Sequence, residues 1–219
     1  MLARLTFIAA LAFAPMATAQ NAAPPATAEQ VAAARAEADR IIATAQADDL
    51  FVNITGNAHP MVRHKASGLI CIFNDAPEVN RISIYPGPRG DDVSCSTKDE
   101  PTGAETTVYA TRYDPMPTEQ EALTYSVRAV KQRFPSARLY EGDLILASTD
   151  TVTPIGSAMV IDTNHGTMFT LVIVEHQGPW AYKLRATGPI DQAEAINTSA
   201  GLGFTTMLMM KVLPPFSGE

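Results

Sequence analysis

Two cysteines, four histidines and a pair of strand cations are the side chains of this chain best suited to bind or react. Cys71 and Cys95 stand 24 positions apart, without the CxxC spacing of a redox pair or a zinc site. Leu69, Cys71 and Phe73 alternate within SGLICIF, and Val93 and Cys95 within GDDVSCS, so each thiol shares a strand face with apolar neighbours. That predicts a structural inter-strand disulfide, which stabilises by roughly 3 kcal/mol through loop-closure entropy. His59, His64, His165 and His176 form neither HExxH nor a helical i, i+4 pair, and there is no Cys/His quartet for zinc. Three of them lie beside Pro, Gly or a predicted turn, so solvated loop histidines are expected, with a site joining His64 to His176 left open.

The remaining motifs are weaker. Met159, Met168, Met207, Met209 and Met210 offer thioethers that suit soft metal. Met207 and Met210 share one helical face, however, where methionine ordinarily fills a core. There is no GxSxG elbow and no SxxK tetrad. Gly87-Pro88-Arg89-Gly90 and Gly201-Leu202-Gly203 lack the strand-to-helix setting of a phosphate loop, so no catalytic, cofactor or metal site is read. Arg89-Gly90-Asp91 matches an adhesion tripeptide, but its Gly and Asp already serve a turn. Lys183 and Arg185 stand out in an otherwise acidic chain, on what reads as the non-core face of a hairpin. Beside Val172, Val174 and Ala181 they suit a small anionic ligand or an acidic partner surface. The plainer alternative is two strand cations leaning into solvent or pairing with surface acids.

The elements that position these residues follow from pattern. Met1–Arg4 is a short basic start, Leu5–Pro15 an apolar run too short to span a bilayer, and Ala17-Thr18-Ala19 a signal-peptidase site. Cleavage before Gln20 removes 19 of 219 residues, leaving 200, and takes away one Arg, moving the formal charge from −7 to −8. So acidic a chain has no electrostatic footprint for nucleic acid, and no later apolar run is long enough for stable membrane insertion. Residues 20–26 read as a flexible Pro- and Ala-rich lead-in and 27–215 as a single domain.

Thr27 and Gln30 form a capping box that opens a helix to about Ala47. Short β-forming runs separated by turn clusters then predict antiparallel strands from Leu50 to Tyr113, with an exposed charged loop from Thr97 to Ala104. Thr118 and Glu121 open a second helix with Leu123, Val127, Val130 and Phe134 on one face, ended by Pro135. Leu139–Ser148 is compatible with strand or loop. Strands near Ser157–Thr163, Thr167–Glu175 and Trp180–Thr187 follow, the last two joined by a four-residue loop, His176–Pro179. Phe169, Leu171, Ile173, Trp180, Tyr182 and Leu184 form the core face of that hairpin. Asp191–Lys211 reads as a helix, with Gly201 and Gly203 suggesting a close approach by another backbone. The class is α+β, an antiparallel sheet system with an N-terminal, a central and a C-terminal helix packed on it.

SGLICIF with GDDVSCS, and WAYKLRATGP further on, resemble segments of uncharacterised exported proteins of proteobacteria over most of residues 60–190. The element order also loosely resembles the PsbP-like fold of photosystem II lumenal proteins. The first resemblance implies export without an activity. The second is topological, and no cofactor-binding residue carries over. The function expected is a periplasmic, disulfide-bonded binding or accessory module without catalysis. An envelope enzyme of hydrolase type, its site assembled from dispersed residues, is the alternative.

Overall fold

The computed structural model describes residues 25–74 and 77–211. The leader, most of the lead-in and the last four positions of the 27–215 range lie outside those residues. Helix α1 (Ala28–Thr44) starts as its sequence dictates. Thr27 Oγ1 accepts from Gln30 N–H, and the Gln30 side chain accepts from Thr27 N–H. It buries Ala34, Ala38, Ile41 and Ile42 and ends at Thr44, short of Ala47, because Gln46 turns left-handed at φ 51°. Strands β1 (Phe51–Asn53), β2 (Met61–His64) and β3 (Ile70–Ile72) form a small antiparallel sheet in that order.

A larger sheet is built from β4 (Arg81–Ile84), β5 (Asp92–Asp99), β6 (Ala104–Thr111), β7 (Arg138–Leu139), β8 (Ile155–Thr163), β9 (Gly166–Gln177) and β10 (Trp180–Pro189). Its order is β4-β5-β6-β10-β9-β8-β7, antiparallel throughout. With three α-helices among the described residues, the fold is α+β. Residues 97–99, expected in an exposed loop, instead extend β5, where Lys98 opposes Glu105 across the ladder. Opposite charges in register favour pairing over a loop. Cys71 on β3 and Cys95 on β5 are both buried and bonded to each other, so the disulfide joins the small sheet to the large one.

The β9–β10 hairpin closes on two residues, Gly178 (φ 58°) and Pro179, not on four. Tyr182 therefore opposes Glu175 and Leu184 opposes Ile173. This register differs from the expected one by two positions, and side chains alternate with period two. Every residue therefore keeps its face. Phe169, Leu171, Ile173, Trp180, Tyr182 and Leu184 are all buried in the main core.

Both faces of the large sheet are apolar at β8 and β9, and the second is covered by α2 (Glu119–Arg133). Its capping box between Thr118 and Glu121 is formed, and Leu123, Val127 and Val130 pack on Val172, Val174, Met159 and Ile161. The main-core face carries the small sheet and α3 (Ala193–Met210), which follows a 3-10 turn at Ile190–Gln192. Ile196, Ala200, Phe204, Met207 and Leu208 point inward.

The ambiguous stretch after Leu139 is an extended strap laid along α3. Asn197 Nδ2 donates to Asp143 O (2.8 Å), Asn197 Oδ1 accepts from Ile145 N (3.2 Å), and Thr205 Oγ1 donates to Ala147 O (2.6 Å). Gly201 lies midway between those rungs, and a Cβ there would run into the Ile145 carbonyl oxygen. Gly203, by contrast, has open space where its Cβ would be. Among the described residues no helix is long and apolar enough to cross a membrane.

Candidate functional site

Lys183 and Arg185 stand on β10 at the border between what α2 covers and what it leaves open. Val174 and Val172, beside them on β9, are buried under Leu123 and Val127. These valines, and the buried Ala181, are therefore not the ligand-contacting neighbours that the sequence suggests. The apolar stripe of α2 needs an apolar seat, and the β8–β9 half of this face supplies it.

On the other side, toward β4, the same face is polar and aromatic. One row across the sheet runs Ser94, Tyr109, Lys183; the next runs Ser96, Thr107, Arg185. The Lys183 ammonium sits 4.2 Å from the centre of the Tyr109 ring, a cation–π arrangement, and Tyr85 stacks on Tyr109 from beyond, at 6.2 Å and 26°. Tyr85 and Ser94 hydroxyls meet at 3.1 Å, and Ser96 and Thr107 at 3.0 Å.

Neither cation leans freely into water. Both are half-buried, and desolvation lowers the pKa of each. Asp92 opposes the shift at Lys183. At Arg185 Tyr109 opposes it, while Arg133 at the end of α2 adds to it. The ion pairs among the described residues are Arg40–Glu37, Arg89–Asp49, Arg112–Asp91 and Arg138–Asp162, which leaves Lys183 and Arg185 without one. Two desolvated, unpaired positive charges on one face make a site that gains from receiving an anion.

Lys183 also opens into a groove of about 510 Å3 between α2 and the segment that leads into it from β6. Tyr113, Pro115, Met116 and Pro117 form one wall, and Ala122, Tyr125, Ser126 and Ala129 of α2 form the other. The Asp114-Pro115-Met116-Pro117 run, which reads as a sheet breaker, thus shapes a binding wall. The side chains that sequence reasoning missed are Tyr85, Tyr109, Tyr113 and Tyr125. The alternation of Thr107, Tyr109 and Thr111 on β6 was the signal available for the second of these.

The histidines divide. His59 and His165 are exposed, as expected of loop residues. His64 is fully buried and stacks edge-on against Trp180 in the main core, 5.7 Å between ring centres. Ser67 N–H donates to His64 Nδ1 (3.3 Å), so Nδ1 is an acceptor, Ser67 Oγ donates to it as well (2.8 Å), and the imidazole proton sits on Nε2, which has no partner among the described residues. Burial holds the His64 pKa down at about 4. His176 is half-buried on the α2 face, with Nε2 also unpartnered among the described residues. The large sheet lies between these two imidazoles, and they do not form one site. Tyr182, behind His64, donates to Ser67 O (2.6 Å) and receives the Lys211 ammonium (2.6 Å), while burial brings Lys211 down to about 8.

Glu175 is buried, accepting from Thr153 N–H (3.1 Å), and its pKa is pushed up to about 7 by burial and secondarily by Glu119. The folded protein therefore holds a proton that an unfolded glutamate, near 4.5, releases. This contribution to stability is complete below pH about 4.5 and falls as the pH rises toward 7. Burial of neutral His64 acts with the opposite slope, adding stability as the pH rises from about 4 to 6.5. Glu175→Gln is expected to raise the melting temperature at pH 8 and to lose that advantage at pH 4.5, as read by thermal melts. An equal gain at both values would assign the effect to packing and not to ionisation.

Other motifs are absorbed by structure. Arg89 is held by Asp49 through two hydrogen bonds (2.7 and 2.8 Å) and by Gln46 O, which ties up the adhesion-like tripeptide. Met207 is buried in the main core with Met210 packed against it, whereas Met159 lies under α2 beside Met168. No family model and no curated protein matches the chain. Among solved structures, a Pseudomonas aeruginosa protein of unknown function aligns at 10% identity and a TM-score of 0.36, over 72% of this chain and 96% of that one.

Proposed function

We propose that this protein is an exported, periplasmic binding or accessory module that recognises an anionic group, on a small ligand or an acidic partner surface, through Lys183 and Arg185. The observation that carries this reading is the pair of half-buried cations without ion-pair partners among the described residues, beside stacked tyrosines, where α2 leaves the sheet open. The leader-like start of the sequence and the Cys71–Cys95 bridge support export. An enzymatic reading would need a histidine with a carboxylate or serine facing a cavity, and no histidine lines the groove beside Lys183.

The test is an NMR titration with inorganic phosphate and, separately, with a short poly-aspartate peptide. At least one is expected to shift the resonances of Lys183, Arg185 and Tyr109. Lys183→Gln with Arg185→Gln should weaken that binding by about tenfold per charge removed, the scale of one charge-assisted hydrogen bond. Binding unchanged in the double variant, or no response to either probe, would sink the reading.

A further inference from the structure

We propose that the groove beside Lys183 takes a small organic monocarboxylate with an apolar body, its carboxylate on the Lys183 ammonium and its body along the flank of α2. This rests on the anion-binding reading above and narrows it to a ligand class. A volume of about 510 Å3 lies in the range of small-molecule sites, roughly 300–1,000 Å3. Ala122, Ser126 and Ala129 recur at i, i+4 and i+7, so the flank of α2 that faces the groove is made of small side chains and leaves room for an occupant. Tyr113 and Tyr125, on opposite walls, are 44% and 56% exposed, which is aromatic surface offered to something apolar.

Charge then selects among apolar ligands. Among the described residues that line the groove, Lys183 is the one cation and Glu121 the one acid. Glu121 stays ionised, because Thr118 N–H and Thr118 Oγ1 both donate to its carboxylate (2.8 Å each) and hold its pKa down. A single negative charge gains from Lys183. A dianion or an acidic peptide laid in the groove would also meet Glu121, and like-charge contact opposes it. An uncharged apolar molecule would forgo the ammonium and leave it half-desolvated with only the Tyr109 ring and the more distant Asp92 charge for compensation.

The experiment uses octanoate, 1-octanol and inorganic phosphate as probes, followed by calorimetry and by NMR of the full protein. Octanoate is expected to shift Tyr113, Tyr125 and Lys183 and to bind at least tenfold more tightly than 1-octanol. Lys183→Gln should weaken octanoate at least tenfold. Ala129→Phe, at an exposed position of α2, should do the same by filling the groove while leaving any phosphate response at Lys183 and Arg185 intact. If phosphate or poly-aspartate binds through Lys183 and Arg185 while octanoate does not, the ligand class is wrong and the anion-binding face stands. If octanoate shifts other residues, ignores both substitutions or binds no better than octanol, the proposal is overturned. Concentration-dependent shifts of Tyr113 and Tyr125 without ligand would assign the groove to a second copy of the chain, and silence toward all three probes and poly-aspartate would remove both readings.

Discussion

Replacing Gly201 by alanine is expected to destabilise the protein by about 3 kcal/mol, although alanine is the better helix former by about 1 kcal/mol. The added Cβ meets the Ile145 carbonyl oxygen, which belongs to backbone and has no rotamer to escape through. Relief requires lifting the strap, and the strap is laced to α3 on either side of the clash by Asn197 and Thr205. Those two side chains are buried, so moving the strap leaves polar groups without partners, at about 1–3 kcal/mol for each. The same movement draws Leu144 and Leu146 away from the main core. For a chain of this size the loss corresponds to roughly 6–12 °C in Tm. Gly203→Ala, two residues on, is the internal control. Its Cβ enters open space at an exposed site, and a gain of about 0.5–1 kcal/mol is expected. Thermal or urea melts of the two variants should therefore move in opposite directions. A harmless Gly201→Ala would mean that the strap does not hold this position in solution.

Those two glycines show what was legible in the sequence. A helix whose interior carries Gly201 and Gly203 reads as a place of close approach, yet nothing local says which of them faces the neighbour. That depends on Asn197, Gly201 and Thr205 falling on one stripe at four-residue spacing, and on the strap lying along it. Local signals carry their own structure. The capping boxes at Thr27 and Thr118 are formed, because the reciprocal bonds need only residues three apart. The core face of β9 and β10 was legible for the same reason, since parity survives a register error of two. The loop length was not, because Gly178 with Pro179 turns the chain more tightly than His176–Pro179 suggests.

The candidate site was half legible. Lys183 and Arg185 stood out against an acidic chain, but their surroundings depend on where α2 lands. Its landing buries Val172 and Val174 and leaves Lys183 facing Tyr109 and the 113–117 segment. Burial of His64 was hidden in the same way. Its neighbours Met61 and Val62 are apolar, but the ring's actual partners are Phe51, Ser67 and Trp180, brought in by three other segments.

Removing the disulfide with Cys71→Ala and Cys95→Ala together is expected to cost about 3 kcal/mol, the second large effect. The bridge closes a loop with a sequence separation of 24, and loop-closure entropy of that size gives roughly 3 kcal/mol. Its position in the fold argues that the full amount is felt. β3 belongs to a three-stranded sheet of short strands, and Cys95 anchors it to the long β5 of the other sheet. Both thiol carbons are buried, so truncation to alanine also removes a little apolar packing. The entropic origin has its own signature. The unfolded chain expands when the loop is opened, so the urea m-value should rise while the midpoint falls. Reduction of the native protein should shift the midpoint by a similar amount. The oxidised protein should weigh two hydrogens less than the reduced chain, and protein made in a reducing cytosol should match the double variant in stability. A loss below about 1 kcal/mol with an unchanged m-value would mean that α1 and the shared core, without the covalent bond, hold the small sheet in place.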